Sequence, residues 1–220
     1  MQAGLDVKLR ELIEQAREAL GGQQRLKQIV SFRSDAVRRI TGQAAASQFK
    51  THRAVGGRVR LEEIFPTGRQ VIQVVNGLTG QKIIRHATTA DETVSDLTPE
   101  EIASLRREAK ILPRNFLVHA DEYEVGYLGI GQVENLSGHC IEFRQEQIIY
   151  CFNPGSYYCQ IMTDSIADSV WAFDDFAAVD GIVTPMKVTK RLTQGVAIED
   201  QLALVRYNEP LPDSLFEVKR

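Results

Sequence analysis

The sequence predicts an α+β protein: about eleven antiparallel strands, an amphipathic helix near the N-terminus and a second helix in the middle of the chain. Three observations carry that reading. Apolar residues recur at helical spacing only over about 5–20 and 98–112. From about residue 29 the period changes to two. Short turns rich in Gly, Pro and Asn separate the alternating stretches, and no helices lie between them of the kind parallel βαβ units need. The 220 residues carry a net charge of −3, with 43% hydrophobic and 25% charged residues. That is enough chain for one domain, 1–220, with a substantial core, and too apolar a composition for a disordered chain. The near balance of charges speaks against a nucleic-acid or other polyanion partner. No run approaches the roughly 18 apolar residues of a membrane-spanning helix, and no charged-then-apolar secretion signal heads the sequence.

The elements follow in order. Leu9, Leu12, Ile13, Ala16 and Leu20 mark one face of the first helix, with Lys8, Glu11, Glu14, Gln15 and Glu18 opposite. Asp6 is placed to cap its start, and Gly21-Gly22 to end it. Val30, Phe32, Ser34, Ala36, Arg38 and Ile40 then alternate with Ser31, Arg33, Asp35, Val37 and Arg39. Thr41-Gly42 supplies a turn, 45–54 a second strand, Gly56-Gly57 a turn, and 58–65 a third strand with Val59, Leu61 and Phe65 on one face. Val71–Val75 is β-branched enough for a fourth, and Asn76-Gly77 is a hairpin signal leading into 79–86. Thr98-Pro99-Glu100-Glu101 opens the second helix with a capping hydroxyl, a proline at the first helical position and a carboxylate three residues after the cap. Ile102, Leu105, Ala109 and Leu112 line one side of it until Pro113. A poorly patterned connection passes Phe116. Strand rhythm resumes at 122–128, 138–144, 147–152, 157–163, 169–176, 185–192 and about 196–207, and the tail Asn208–Arg220 reads as irregular.

Catalytic patterns are missing. The chain has no G-x-S-x-G elbow, H-E-x-x-H, P-loop or C-x-x-C. The glycines of Gly126-Tyr127-Leu128-Gly129-Ile130-Gly131 do not open a helix and read as turn or bulge residues. His52, His86, His119 and His139 share no face. Asp121-Glu122 and Asp174-Asp175 are adjacent pairs whose members point to opposite sides of a strand, so they read as solvated or turn-stabilising carboxylates. The expectation is a protein that is not an enzyme and carries no cofactor or metal. Free buried thiols are the first reading of Cys140, Cys151 and Cys159. A hairpin centred between Gln145 and Glu146 also sets Cys140 opposite Cys151, so a cross-strand disulfide is geometrically allowed, and a zinc site is a third, weaker reading.

Charge is unevenly spread, +7 over residues 1–60 and −10 over 61–220. Arg33, Arg38, Arg39, Lys50, Arg53, Arg58 and Arg60 supply most of the excess. They form either a solvated sheet face or a docking surface for an acidic partner. The apolar strand faces carry the other signal: Trp171 with Phe173, Met186 with Val188, and Tyr157 with Cys159 and Ile161. These are core residues of a long sheet, or, since two short helices cover little of such a sheet, the lining of an apolar cavity. Arg38, on an otherwise apolar face, is either a rim residue of that cavity or an arginine that snorkels to solvent.

Several segments together resemble the periplasmic outer-membrane lipoprotein-sorting proteins of the LolA/LolB-like family. They are the helix ending Ala19-Leu20-Gly21-Gly22 and leading through Leu26 and Ile29; Phe65-Pro66 before Arg69; and Val75-Asn76-Gly77 with Gly80. Further on come Phe173-Asp174-Asp175-Phe176, Val179-Asp180-Gly181-Ile182 with Pro185, and the ending Asn208 with Asp213-Ser214-Leu215-Phe216. The resemblance implies an open antiparallel β half-barrel covered by the N-terminal helix and a mid-chain lid helix. It also implies a periplasmic location and a carrier or chaperone role toward lipid or lipoprotein acyl chains, with a membrane-associated protein as a further partner. The sequence departs from the pattern in lacking an N-terminal lipobox cysteine. Phe32, Arg38, Leu61, Ile72, Leu105, Trp171, Phe173, Met186 and Val188 are the expected ligand-binding residues. The alternative expectation is a structural or adaptor domain with a filled core, docking a partner through the basic strand region 33–60.

Overall fold

A computed structural model describes residues 2–87, 89, 91–133 and 136–218. The fold is α+β, with thirteen antiparallel strands rather than about eleven, four α-helices and short 3₁₀ turns among the described residues. The contacts gather into two compact units, one of residues 29–109 and 198–220, the other of residues 1–28 and 110–197.

In the first of these units six strands form a meander: β1 (Ser31–Ile40), β2 (Ser47–Ala54), β3 (Arg58–Ile64), β4 (Gln70–Asn76), β5 (Thr79–Arg85) and β6 (Glu92–Asp96). Each pairs with the next, and β13 (Ala197–Tyr207) pairs with β1, setting Phe32 opposite Tyr207 and Arg38 opposite Asp200. The expected turns are present at Thr41-Gly42, Gly56-Gly57 and Asn76-Gly77, whose glycines all have positive φ. Strand β6 is an addition to the expected set. Helix α3 (Pro99–Ile111) begins as its sequence requires. The Glu101 amide donates to Thr98 Oγ1 at 3.2 Å and the Thr98 amide to Glu101 Oε2 at 2.8 Å, so the two residues cap each other. Ile102 packs on Val59, Val75 and Leu97. On the opposite sheet face the C-terminal segment takes a short 3₁₀ turn, Asp213–Phe216, and buries Phe216 completely against Ile72, Val74 and Ile83. The irregular tail is therefore a second covering layer; its last two residues lie outside the described set.

In the other unit the strand order is β12-β11-β10-β9-β8-β7. The ranges are β7 (Val125–Val133), β8 (Leu136–Phe143), β9 (Ile148–Phe152), β10 (Cys159–Asp164), β11 (Ser169–Val179) and β12 (Ile182–Leu192). Helix α1 (Gln2–Ala19) starts earlier than expected, so Asp6 lies inside it instead of capping it. It ends at Gly21-Gly22 as expected, and only glycine fits Gly21: its φ is +119° and a Cβ there would lie 2.3 Å from the Gly181 carbonyl oxygen. A five-residue helix α2 (Gln23–Lys27) follows. The connection past Phe116 is in fact helix α4 (Pro113–His119), with Pro113 at its first turn. It buries Phe116 against Tyr150 and Phe143, ring centroids 4.3 and 5.5 Å apart, and Tyr150 donates its hydroxyl to the Ile111 carbonyl at 2.8 Å. Tyr157 has φ +58° and sits in the turn before β10, not on a strand beside Cys159. The side-chain oxygen of Asn153 accepts from the Gly155 and Ser156 amides, which closes the expected Asn153-Pro154-Gly155 turn.

Cys140 and Cys151 form a disulfide across β8 and β9, at directly opposed positions. This corrects the first reading of three free thiols; Cys159 alone is free, and it is buried. Gly131 on β7 makes room for the bridge, since a Cβ there would come within 2.9 Å of Cys140 Sγ.

Candidate functional site

Directly opposed residues on neighbouring strands share a face, so register decides which of the expected ligand-binding residues come together. In the unit of residues 29–109 and 198–220, Phe32, Arg38 and Leu61 lie on the face that bears α3, and Leu61 and Leu105 both pack against the Val59–Val75–Leu97–Ile102 cluster. Ile72 is on the other face, fully buried under Phe216, and is core rather than cavity lining. In the unit of residues 1–28 and 110–197, Trp171, Phe173, Met186 and Val188 share one face. Trp171 is opposite Met162 and Lys190, and Phe173 is opposite Val188. The Trp171 and Phe173 rings stack with centroids 6.5 Å apart, the indole N–H donates to Ser169 Oγ at 3.2 Å, and Lys190 Nζ lies 4.5 Å from the Trp171 ring centroid.

Each face of the first unit has closed and half-open apolar residues: Val59 and Val75 are closed on the α3 face, while Ile64 is half-buried and Val37 is exposed on the face of Ile72. Beneath the C-terminal segment Ile72, Val74 and Ile83 are closed off from solvent. On the α3 face Phe49, Leu61, Val71 and Ile84, together with Leu105 of the helix, remain half-buried. Phe49, Glu63, Val71 and Ile84 fall in one row across β2, β3, β4 and β5. Phe49, Val71 and Ile84 were not singled out from the sequence. Their signal was the alternation itself, which places them on the face of Leu61 once the strand pairing is known.

Arg38 is neither an open rim cation nor a snorkelling side chain. Its guanidinium makes a two-pronged bond to Asp200, Nε to Oδ1 and Nη2 to Oδ2, each 2.7 Å. It stacks 3.3 Å above the centroid of Phe49 and lies 3.9 Å from Glu63, which itself accepts from Ser47 Oγ at 2.6 Å. Bidentate pairing and stacking of this kind fix a guanidinium in one orientation. Arg38 therefore walls the polar end of the half-buried apolar row.

The same holds for most of the basic stretch. Arg33 pairs with Glu209 and Asp35, Arg39 with Glu199, Arg53 with Glu108, Arg58 with Asp213, and Arg60 with Glu62. The excess positive charge of residues 1–60 thus meets, on neighbouring strands and on the C-terminal segment, the excess negative charge of residues 61–220. His52 lies in this network between Arg33 and Arg60, its directly opposed neighbours. Burial, followed by those two arginines, lowers its pKa, against the weaker opposing pull of Asp35 and Glu62.

No group of three or more His, Cys, Asp or Glu among the described residues is arranged to hold a metal ion. Tyr127 Oη and His139 Nδ1 are 2.8 Å apart and tie β7 to β8. Asp174 accepts from the Asp175 amide at 2.9 Å, and Asp121 pairs with Arg17 at 2.8 Å, so both expected carboxylate pairs include a structural member. A groove of about 490 Å³ at the α1–α2 elbow is lined by polar side chains including Glu14, Glu18, Gln24 and Arg25, and its chemistry does not suit an apolar chain. No helix of the described residues is long and apolar enough to cross a membrane.

No family model matches the sequence, and no curated protein matches it. Solved structures do share the fold. A DUF1329 family protein from Desulfovibrio piger is similar with a TM-score of 0.59 at 15% identity, over 94% of this chain and 96% of that one. A putative outer membrane lipoprotein-sorting protein domain from Vibrio parahaemolyticus gives 0.54 at 9% identity, over 94% of each chain. A LolA superfamily protein from Nitrosomonas europaea gives 0.53 at 10% identity, over 95% of this chain and 97% of that one. The resemblance read from the sequence is thus shown in the fold, across nearly the whole chain.

Proposed function

We propose that this protein is a non-enzymatic carrier of a lipid or a lipoprotein acyl chain, working in the periplasm, and that it holds the chain against the α3-bearing face. The observation that carries this reading is the half-buried apolar row. Phe49, Leu61, Val71, Ile84 and Leu105 form a partly solvent-open apolar surface on the α3-bearing face, beside the fixed guanidinium of Arg38. The fold shared with a lipoprotein-sorting domain and a LolA superfamily protein supports the same reading. So does the cross-strand disulfide, which forms and persists in an oxidising compartment.

The affinity of such a site comes from burying methylenes at about 0.8 kcal/mol each, so about ten of them supply the roughly 8 kcal/mol of a micromolar complex before ordering costs. Helix α3 acts as the lid, with Leu105 and Ala109 as its ligand-facing apolar side chains, and it moves aside for entry. Arg38 keeps its partners and closes the polar end.

Native mass spectrometry of protein purified without detergent, followed by organic extraction, tests this directly. The expected result is a stoichiometric adduct that extracts as a lipid, or uptake of a fluorescent fatty acid by stripped protein. Leu105→Lys, which places a charge at a half-buried position, lowers that uptake by at least about tenfold. Trp171 is the only tryptophan, so its emission reports whether its own face responds to the ligand. A bare polypeptide mass with no uptake of added lipid would overturn the proposal.

A further inference from the structure

The sheet face that carries Ile72 in the first unit also carries a row of basic side chains. Arg33 on β1 is directly opposite Arg206 on β13 and His52 on β2, and His52 is opposite Arg60 on β3. These side chains therefore stand on one face across neighbouring strands. Like charges set side by side on a sheet repel, and the groups around them hold the arginines loosely. Arg33 reaches Asp35 at 3.4 Å and Glu209 at 3.3 Å, while Arg60 reaches Glu62 at 3.1 Å and the Leu215 carbonyl at 3.5 Å. Elsewhere in the same unit the ion pairs are tighter, Arg38 to Asp200 at 2.7 Å and Arg58 to Asp213 at 2.6 Å, close to the usual length of a charge-assisted bond. Arg33 Nε, His52 Nδ1, Arg60 Nε and Asp35 Oδ1 are all buried with no hydrogen-bond partner. His52 as a whole is only 8% exposed. Each such atom costs stability, and their gathering in one place calls for an occupant that satisfies them together.

We propose that Arg33, His52, Arg60 and Asp35 bind a phosphate group that carries a proton. The unpartnered nitrogens are donors and Asp35 Oδ1 is an acceptor, so the occupant must accept from several directions and donate in another. A protonated phosphate does both: its free oxygens accept from Arg33, His52 and Arg60, and its P–OH donates to Asp35. Sulfate accepts and has nothing to donate. A carboxylate is planar and fills one guanidinium fork, leaving the other arginine, rooted two strand spacings or about 10 Å away, without a partner. Charge agrees with an anion, since Arg33, Arg60, Arg206 and Lys50 face Asp35, Glu62 and Glu209. Burial and the flanking arginines lower the His52 pKa, so the ring is neutral at neutral pH and donates from Nδ1 in the tautomer that carries its proton there. Of the two arginines, Arg33 is the more open, 33% exposed against 15% for Arg60. Held only by its long contacts, it is the side chain that swings to admit the phosphate.

Isothermal titration calorimetry of the full chain at about pH 6, where a phosphate group still carries a proton, compares inorganic phosphate, glycerol phosphate and sulfate at constant ionic strength. The expected result is one phosphate bound per chain, with sulfate at least about tenfold weaker. Binding of both phosphates identifies a group presented on a larger molecule, and binding of inorganic phosphate alone identifies the free ion; each supports the site. Arg33→Gln lowers phosphate affinity by at least about tenfold. Asp35→Asn, whose amide donates to sulfate as the carboxylate cannot, brings the two affinities to within about threefold of each other. A change of selectivity is an effect that loss of folding does not produce, and the wild-type comparison stands without either variant. A wild type that binds neither ion up to about 10 mM overturns the proposal. So does one that binds phosphate and sulfate alike, which would make the row an unselective basic patch. Selectivity that survives Asp35→Asn overturns it as well, since the P–OH would then be read by another group.

Discussion

Arg17 is the most informative residue to perturb for stability, because it is a fully buried cation whose partners are not. Its side chain is 1% exposed. Nε donates to the Leu117 carbonyl at 2.9 Å, Nη1 to Glu14 at 2.6 Å and Nη2 to Asp121 at 2.8 Å, so one side chain joins α1 to α4 and to the turn that follows it. Glu14 and Asp121 are 57% and 64% exposed. Once the arginine is removed, water solvates both carboxylates, and their loss costs little. The Leu117 carbonyl belongs to a residue that is 0% exposed, and stranding it costs about 1–3 kcal/mol. Loss of the packed aliphatic stem adds further destabilisation in Arg17→Ala, for a total of about 3–4 kcal/mol. Arg17→Met retains the stem and isolates the hydrogen-bonding part, about 1–3 kcal/mol. Asp121→Asn, on the exposed side of the same network, costs no more than about 1 kcal/mol. Urea unfolding monitored by Trp171 fluorescence measures all three. Were Asp121→Asn as costly as Arg17→Ala, the ion pairs would hold this junction and the carbonyl argument would be wrong.

Two other perturbations have definite outcomes. His52 has a lowered pKa, first through burial and then through Arg33 and Arg60. The unfolded chain therefore binds that proton more readily than the folded one. His52's contribution to stability is complete above about 6.5, the unfolded value, and is lost as pH falls toward the folded value. Melting temperatures taken at about pH 7.5 and about pH 5.5 show a drop that His52→Gln reduces, and an unchanged drop would place the titration elsewhere. Burial pushes the Cys159 thiol well above its ordinary range, so it is not a thiolate at neutral pH and does not attack the neighbouring bridge. A thiol reagent finds no reactive cysteine in the native protein and one after unfolding. The Cys140→Ala/Cys151→Ala double variant loses about 2–3 kcal/mol, as expected for a short closed loop. Native labelling of Cys159 at the unfolded rate would contradict its burial.

What could be read from the sequence was what its signals encode locally. The Thr98–Glu101 cap, the Gly21-Gly22 stop and the Asn76-Gly77 and Asn153-Pro154-Gly155 turns each depend on two to four adjacent residues, and all form as expected. Strand β6 was missed because Glu92-Thr93-Val94-Ser95-Asp96 is an exposed edge with a single apolar residue, so it has no alternation to detect. Helix α4 escaped because seven residues with adjacent Phe116 and Leu117 show no clear period, and α2 is shorter still. Ile72, expected among the ligand-binding residues, is instead closed under Phe216, for a different reason. Val71-Ile72-Gln73-Val74-Val75 is apolar on both faces, since α3 covers one and Phe216 the other. Periodicity identifies such a strand without saying which layer each face meets.

The basic stretch makes the same point about the candidate site. Counted along the chain, residues 1–60 look like a surface waiting for an acidic partner. Counted across the sheet, Arg38 faces Asp200, Arg39 faces Glu199 and Arg58 reaches Asp213. Linear charge asymmetry is what antiparallel pairing between β1 and β13 produces when one strand is basic and its partner, more than 150 residues later, is acidic. An intramolecular pair and a docking surface look identical until register is known. Once register supplies the acids, those arginines become structural. What remains unexplained by structure alone is the accessible apolar row beside Arg38, whose Phe49 ring the guanidinium caps. Leu61 meets Leu105 and Ala109 of α3 at the Val59–Val75–Leu97–Ile102 cluster, while Phe49, Val71 and Ile84 lie in the row with Glu63; register, not composition, brings them together.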